Sequence, residues 1–186
     1  QLTLTTFFVG MALGQLIGGP VSDRIGRRMP LLVALGVLTV ASAVCAYSPT
    51  IGVMMLARLV QGFSGGWAMV IARSIVVDLT RGAELVRAMN LVAGVGGIAP
   101  IVGPLLGGVI TQYLHWSLIF WINLPLGLVA LRMTDSTLRQ LPRHERPHRL
   151  DLLGAVLIVA TTIAFLLALS WGGVRYPWLS PTILGL

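Results

Sequence analysis

The chain has 186 residues, of which 56% are hydrophobic and only 10% are charged, and its mean hydropathy is +0.89. A soluble domain carries about a quarter charged residues, so this sequence cannot cover a water-facing surface. All thirteen basic residues are Arg, and the net charge is +7. They lie in short clusters between apolar stretches without interleaved aromatic residues, which indicates membrane topology and argues against nucleic-acid binding.

Six apolar stretches are long enough to cross a hydrocarbon core of about 30 Å, which takes about 20 helical residues. In chain order they cover residues 4–22, 30–47, 51–77, 89–111, 117–134 and 152–171, and a seventh begins near Pro181. We expect each span to be a helix, because only a helix satisfies its own backbone hydrogen bonds in lipid. The predicted fold class is an all-α, polytopic transmembrane helix bundle.

The loops between the spans differ in arginine content, which predicts the side of the membrane on which each lies. Nine arginines occupy alternate loops, whereas the other loops hold one, Arg175. The nine are Arg24, Arg27, Arg28, Arg81, Arg87, Arg139, Arg143, Arg146 and Arg149. These loops are therefore expected to face the cytoplasm, so that the first span runs inward. An amino terminus in the cytoplasm then requires one more span upstream, and we expect the chain to be a piece of a longer protein.

The first loop, GPVSDRIGRR at 19–28, holds more glycine and charge than topology requires. Gly19 lets helices approach closely and Gly26 permits a tight reversal. Asp23 can face a helix N-terminus, where a negative charge is favoured by about 0.3–1 kcal/mol. The pattern resembles the signature between the second and third spans of the major facilitator superfamily, carried here by Gly19, Asp23, Arg24, Gly26, Arg27 and Arg28.

This resemblance implies a cytoplasmic latch whose ion pairs break and reform as the transporter rocks. Asp78 matches a family position that pairs with the latch arginines, so we expect one ionic cluster of Asp23, Arg24, Arg28 and Asp78. The alternative is a merely solvated turn. Arg73, near the same span end, is explained equally well by snorkelling of its side chain to the membrane surface.

Arg58 lies seven residues into the third span, about 10 Å below the membrane surface at 1.5 Å per residue. A charge at mid-bilayer costs at least about 2.5–3.5 kcal/mol, so we expect a polar cavity and a partner. Gln61, one turn later, is in reach of the same polar seam. The alternative is snorkelling to the outer interface. The resemblance of LARLVQGFSGG to the family implies that Arg58, with Gln61 and Gly62, takes part in proton coupling by biasing a nearby carboxylate.

The fourth span carries APIVGPLLGG, which resembles the fifth-span motif of drug:proton antiporters. The matching residues are Pro100, Gly103, Pro104, Gly107 and Gly108, and the departure is Ala99, where the family often has Gly. Glycines allow close helix packing, and prolines remove a backbone hydrogen bond and permit bending. A rocking interface needs both properties. Ordinary small-residue packing is the alternative, here and for the stripe of Gly10, Gly14 and Gly18.

The stretches at 115–128 and 149–173 resemble the fourteen-span, EmrB/QacA-type branch of these antiporters. In that branch two extra spans follow the sixth after a short basic loop. The resemblance covers the whole chain as spans two to seven, with the next span starting. It implies part of the N-terminal six-helix bundle at 1–134, a cytoplasmic basic loop at 135–150 and extra central spans at 151–186.

The implied function is proton-driven efflux of hydrophobic or cationic drug-like compounds across the cytoplasmic (inner) membrane. The alternative is a major facilitator carrier for a metabolite such as an amino acid or sugar derivative. An enzyme would need a nucleophile, base or metal cluster; the G-x-S-x-G match at 62–66 lies within one helix and lacks the strand that such an elbow requires. We expect no cofactor, metal or nucleic acid. The expected partners are a small-molecule substrate, protons and the lipid bilayer, with a periplasmic adaptor protein as a further candidate.

Span position alone suggests that Trp67, Met69 and Asn123 face the substrate cavity. A proton antiporter also needs an acid inside the membrane. The six acids here all lie in or beside the arginine-rich loops: Asp23, Asp78, Glu84, Asp135, Glu145 and Asp151. We therefore expect a further span before Gln1 with a buried Asp or Glu close to Arg58. Without such an acid, a uniporter is the better interpretation.

Overall fold

A computed structural model describes residues 1–139, 152–173, 175–177, 180–181 and 185. Its regular elements over these residues are helices, which confirms the predicted all-α fold class. In chain order they are α1 Leu2–Ile25, α2 Arg28–Ala46, α3 Ile51–Leu79, α4 Gly82–Tyr113, α5 Leu118–Trp121, α6 Asn123–Leu138 and α7 Leu152–Trp171. Residues 140–151, with Arg143, Arg146, Arg149 and most of the predicted basic loop, lie outside the described residues.

Five described segments are long and apolar enough to cross a membrane: α1, α2, α3, α4 and the combined α5–α6 segment, Leu118–Leu138. The helix α7 has 20 residues, Leu152–Trp171, and none of them is charged. Several helices extend past the predicted spans. For example, α4 begins at Gly82 rather than at residue 89. The span predicted to begin near Pro181 lies mostly outside the described residues.

Specific residues set the helix ends. α1 ends at Ile25, and the φ of 93° at the following Gly26 is in the left-handed region, so the predicted reversal is confirmed. The Thr50 hydroxyl caps α3 by accepting a hydrogen bond from the Val53 N–H at 3.3 Å. The predicted span at 117–134 is interrupted at Ile122, between α5 and α6. Pro125 accounts for the interruption, because it has no N–H to donate to the carbonyl four residues earlier.

The closest helix packing joins α1 and α3, and it depends on glycines of both helices. A Cβ added to any of four of them would overlap a backbone carbonyl oxygen of the opposite helix. The four contacts are Gly10 with Leu59, Gly14 with Phe63, Gly62 with Phe7 and Gly66 with Met11. Gly18 continues the stripe against the Trp67 ring. The predicted packing stripe on the first span is therefore confirmed, and α3 contributes a matching set of glycines.

The apolar core lies between α2, α3 and the end of α6. It consists of Leu31, Ala34, Ala68, Ile71 and Leu138. By contrast, α4 makes few contacts with the other described helices, and almost all of its side chains are exposed. The outward apolar side chains are those that a hydrocarbon environment would cover.

The chain divides into two compact units, Gln1–His148 and Arg149–Leu186. The helices α1 to α6 belong to the first unit. In the second unit, α7 is followed by a turn through Gly173, whose φ is 73°, and by a single bridge between Gly172 and Tyr176. The side chain of Arg175 lies over the Trp171 ring there, 5.7 Å from its centroid.

Candidate functional site

Four polar side chains from three apolar helices form a connected group, which we name the polar seam: Ser42, Arg58, Gln61 and Asn123. Arg58 Nη1 donates to Gln61 Oε1 at 2.7 Å, and Gln61 Nε2 donates to Ser42 Oγ at 2.7 Å. Asn123 Nδ2 lies 3.5 Å from the same hydroxyl oxygen. Gln61 is 2% exposed and Ser42 is fully buried. The seam thus joins α2, α3 and the start of α6 through hydrogen bonds, of which the one between Gln61 and Ser42 is buried.

Arg58 lies at one end of this seam with aromatic rings around its guanidinium. The guanidinium carbon is 4.3 Å from the centroid of the Phe7 ring and 5.7 Å from that of Phe120. Rings at these distances attract a cation through their negative faces. Among the described residues, the ion pairs of the structure do not include Arg58. The cation is therefore held by Gln61 and by two rings, one from α1 and one from α5, and the Arg58 side chain is only partly buried.

Gly62 follows Gln61 but contributes packing rather than a polar group. An added Cβ would overlap the carbonyl oxygen of Phe7, which lies on α1. The glycine therefore lets α1 approach α3 closely enough for the Phe7 ring to reach Arg58. The family resemblance grouped Gly62 with Arg58 and Gln61 in proton coupling. In the structure Gly62 is related to Arg58 only through the close approach of α1, which carries Phe7.

A second group lies where α1, α2 and α3 end or begin, and we name it the latch cluster: Asp23, Arg27 and Asp78. Arg27 pairs with Asp23 four residues earlier, and its Nε donates to Asp78 Oδ2 at 3.0 Å. Its Nη1 also donates to the Ser22 hydroxyl at 2.7 Å. The side chain of Arg27 is 25% exposed, so these pairs are only partly screened by solvent. One guanidinium thus ties the α1–α2 loop to the end of α3.

The structure corrects two predictions about this cluster: which arginine pairs with the two acids, and whether Asp23 caps α2. Arg24 is exposed and has no ion pair among the described residues, whereas Arg27 occupies the bridging position. Arg24 lies within α1, whereas Arg27 follows the reversal at Gly26 and stands at the N-terminus of α2, where it reaches both Asp23 and Asp78. Asp23 also pairs with this side chain instead of capping α2, whose N-terminus has no side-chain cap.

Arg28, expected in the same cluster, belongs to a separate α6 cluster with Asp135 and Arg139. It pairs with Asp135 Oδ1, while Arg139 Nη2 donates to Asp135 Oδ2 at 2.6 Å. The hydrogen bonds to Asp135 raise the pKa of the Arg139 guanidinium. Arg28 Nε is buried without a hydrogen-bond partner among the described residues. Sequence reasoning missed Asp135 as a partner, although its spacing of four from Arg139 was a usable signal.

A cavity of about 280 Å³ lies beside the latch cluster. Its lining residues are Arg27, Val70, Arg73, Ser74, Val77 and Asp78. Arg73 is exposed and pairs with no acid in the described part of the chain. This places Arg73 beside the latch cluster without making it a member.

The three residues suggested for a substrate cavity do not come together. Asn123 lies in the polar seam, whereas the Trp67 ring packs against Phe63 at 5.6 Å between centroids. Met69 is 39% exposed, and its sulfur accepts a hydrogen bond from Gln15 Nε2 at 3.8 Å. Trp67 and Met69 are two residues apart on a helix, so they face nearly opposite directions. None of the three lines the cavity described above.

The antiporter-motif residues Pro100, Gly103, Pro104, Gly107 and Gly108 all lie within α4. A Cβ added to any of the three glycines would meet no heavy atom within 4 Å among the described residues. The close helix contact predicted for Gly103 and Gly107 therefore has no partner in this part of the chain. No group of three or more possible metal ligands occurs among the described residues.

Apolar helices of membrane-spanning length, a buried seam around an arginine and an ionic cluster between helix ends define a multi-pass helical membrane protein. The Major Facilitator Superfamily profile matches residues 1–176, and the chain belongs to this superfamily. The fold is accordingly the major facilitator fold in part.

Three relatives show what the chain is similar to. It is 33% identical over 98% of its length to the uncharacterized MFS-type transporter Rv1877 of Mycobacterium tuberculosis (strain ATCC 25618 / H37Rv). It is 31% identical over 97% of its length to multidrug resistance protein 3 of Bacillus subtilis (strain 168), and 33% identical over 91% to the multidrug transporter protein MdtP of the same strain. The chain spans 26%, 35% and 31% of these relatives' own lengths, in that order.

Proposed function

We propose that this chain is part of a proton-driven efflux transporter that expels hydrophobic or cationic drug-like compounds by antiport across the cytoplasmic membrane. The observation that carries the proposal is Arg58, a cation placed inside an apolar helix and held by Gln61 at 2.7 Å. A charge within the membrane is costly, and such residues usually serve a transport or coupling step. The names of two relatives, a multidrug resistance protein and a multidrug transporter, support the substrate class.

Arg58 would act through its permanent charge. A guanidinium stays protonated at any physiological pH, so it does not itself carry the proton. It lowers the proton affinity of a carboxylate that comes near, and that effect is lost when the two separate. Movement of helices against each other then converts a change of distance into proton release. The acid in question, expected on a span before Gln1, stays a prediction.

The latch cluster would supply the gating contact of the same cycle. Its pairs join three helices at one end of the bundle and are partly exposed, so that each contributes only about 0–1 kcal/mol. Contacts of this strength can break and reform during a conformational cycle. The same proposal includes a periplasmic adaptor as partner. It also includes the three-part division of the chain at 1–134, 135–150 and 151–186.

Drug susceptibility of cells that express the full-length protein tests the proposal. We expect resistance to hydrophobic cations, and its loss when a protonophore collapses the proton gradient. Arg58→Ala should abolish uphill efflux but leave some substrate binding, and Arg58→Lys should lose part of the activity because Lys lacks the forked geometry. Arg132→Gln, a change of an exposed arginine on α6, is the matched control.

Two outcomes would contradict the proposal. Normal pumping by both Arg58 variants would favour an arginine that only reaches the membrane surface. An unchanged susceptibility profile, together with uptake or release of an amino acid or sugar derivative, would favour the metabolite carrier.

A further inference from the structure

Ser42 is the one member of the polar seam that contacts two other helices through a single atom. Its hydroxyl donates to the Leu38 carbonyl, four residues earlier in α2, at 2.8 Å. The same oxygen accepts from Gln61 Nε2 on α3 at 2.7 Å and faces Asn123 Nδ2 on α6 at 3.5 Å. Because the side chain is fully buried, water does not supply a substitute for these contacts.

The donor and acceptor roles within the polar seam follow from the chemistry of its side chains. Arg58 has only donors, so the atom of Gln61 that it contacts must be the acceptor Oε1. The amide nitrogen of Gln61 then needs an acceptor on its other side. The Ser42 hydroxyl has given its proton to Leu38 and offers lone pairs toward Gln61. An inverted amide would place Nε2 against the guanidinium, donor against donor, and would lose the bond that Oε1 accepts from Arg58 and its longer contact with the Cys45 thiol.

We propose that Ser42 is a positioning residue for proton coupling: as the acceptor for Gln61 Nε2 it fixes the position of the Gln61 side chain and thereby holds the Arg58 guanidinium in place. The inference rests on the proposed function for its transport consequence. Its structural content, a dependence of Arg58 on Ser42 through Gln61, stands separately. Asn123 adds a second donor to the same oxygen and brings α6 into the arrangement.

The chain offers a matched control in Ser64. This serine is also buried in an apolar helix, with 1% exposure, and donates to the Val60 carbonyl at 2.8 Å. Its second contact is the main-chain oxygen of Gln61, not the side chain. Ser64→Ala therefore removes a buried hydroxyl and its bond within the helix, and leaves the amide of Gln61 untouched.

The first experiment measures the melting temperature of the purified full-length protein and needs no transport activity. We expect Ser42→Ala to lower the melting temperature by about 2 °C, as for one lost hydrogen bond. In the Gln61→Leu background the same change should have less than half that effect, because the shared bond is already missing. Ser64→Ala should have the same effect in both backgrounds. Equal effects of Ser42→Ala in the two backgrounds would overturn the inference.

The second experiment compares two fluxes of a fluorescent hydrophobic cation in proteoliposomes: uphill flux driven by a pH gradient, and downhill exchange without one. We expect Ser42→Ala to reduce the driven flux about fivefold, the factor for one hydrogen bond, and to leave exchange within twofold of that of Ser64→Ala. Ser42→Thr, which retains the hydroxyl, should retain more driven flux than Ser42→Cys.

A purely structural role would reduce both fluxes equally, and that result would overturn the inference, as would a driven flux equal to that of Ser64→Ala. If Ser42→Ala fails to insert, Ser42→Cys replaces it in both experiments, because sulfur is a weak acceptor of similar size. If the wild-type flux proves independent of the pH gradient, the proposed function fails. The melting experiment then decides on its own whether Ser42 holds the seam.

Discussion

The Nε atom of Arg27 lies 3.0 Å from the carboxylate of Asp78, although 51 positions separate the two residues in the chain. Arg27 stands at the N-terminus of α2 and Asp78 in the last turn of α3. The same guanidinium pairs with Asp23 on α1. A single side chain therefore links three helices at one end of the bundle.

Removal of the acids of the latch cluster should slow transport with little loss of stability. We expect Asp78→Asn and Asp23→Asn to insert normally and to lower efflux severalfold in cells. Partly exposed pairs contribute about 0–1 kcal/mol, so folding should tolerate their loss. Efflux rates at matched expression measure the effect. Glu84→Gln is the control, because Glu84 is exposed and has no ion pair among the described residues; wild-type turnover in Asp23→Asn would contradict the gating role.

The glycines between α1 and α3 should be the positions of lowest tolerance in the first unit. Gly62→Ala should destabilise the protein by about 1–3 kcal/mol, because the added Cβ overlaps the carbonyl of Phe7. Gly65→Ala is the matched control on the same helix, where the nearest atom is Leu38 Cδ1 at 3.7 Å, an ordinary contact distance. Melting temperatures of both variants, in the same detergent, make the comparison. Equal stability would mean that the helices are farther apart than described.

Asp135 should matter for stability although the sequence did not single it out. Asp135→Asn removes the partner of both Arg28 and Arg139, and leaves Arg28 with no ion pair while its Nε already lacks a hydrogen bond. We expect a melting temperature lower by a few degrees at most, and a smaller difference at high salt because the cluster is partly exposed. Arg132→Gln on the same helix should change neither the melting temperature nor its dependence on salt. An unaltered melting temperature in Asp135→Asn at low salt would mean that the α6 cluster contributes nothing measurable.

The antiporter-motif glycines of α4 should affect transport without affecting the described packing. Gly103 and Gly107 should tolerate Ala poorly and Leu not at all in efflux measurements, and Pro104→Ala should impair the bend. Since no described atom lies within 4 Å of their added Cβ atoms, expression of Gly107→Leu should remain normal. Ala93→Leu adds similar bulk to an exposed position of α4 outside the motif and serves as the control. Retained efflux in Gly107→Leu would show that no helix packs closely there.

The sequence predicts only part of the polar seam. Arg58 and Gln61 are recognisable from the sequence because a charge and an amide three residues apart stand out in an apolar span. Ser42 gives no such signal, since a single serine is common in a membrane helix. Its partners are 19 and 81 residues away in the chain. Only the rotation of α2 and α6 about their axes brings those side chains to one point.

The sequence by itself determined the helices, their approximate limits and the ends at which charge collects. The reason is that these properties are local: about twenty apolar residues without charge must form a helix in lipid, and a glycine such as Gly26 can adopt the left-handed conformation that ends one. The tertiary structure decided which arginine meets which acid. Arg27, Arg28 and Arg24 are near neighbours with the same charge, and they differ only in the direction each takes from its helix. That direction, set by how α1, α2, α3 and α6 pack, gives Asp78 to Arg27 and Asp135 to Arg28, and leaves Arg24 exposed.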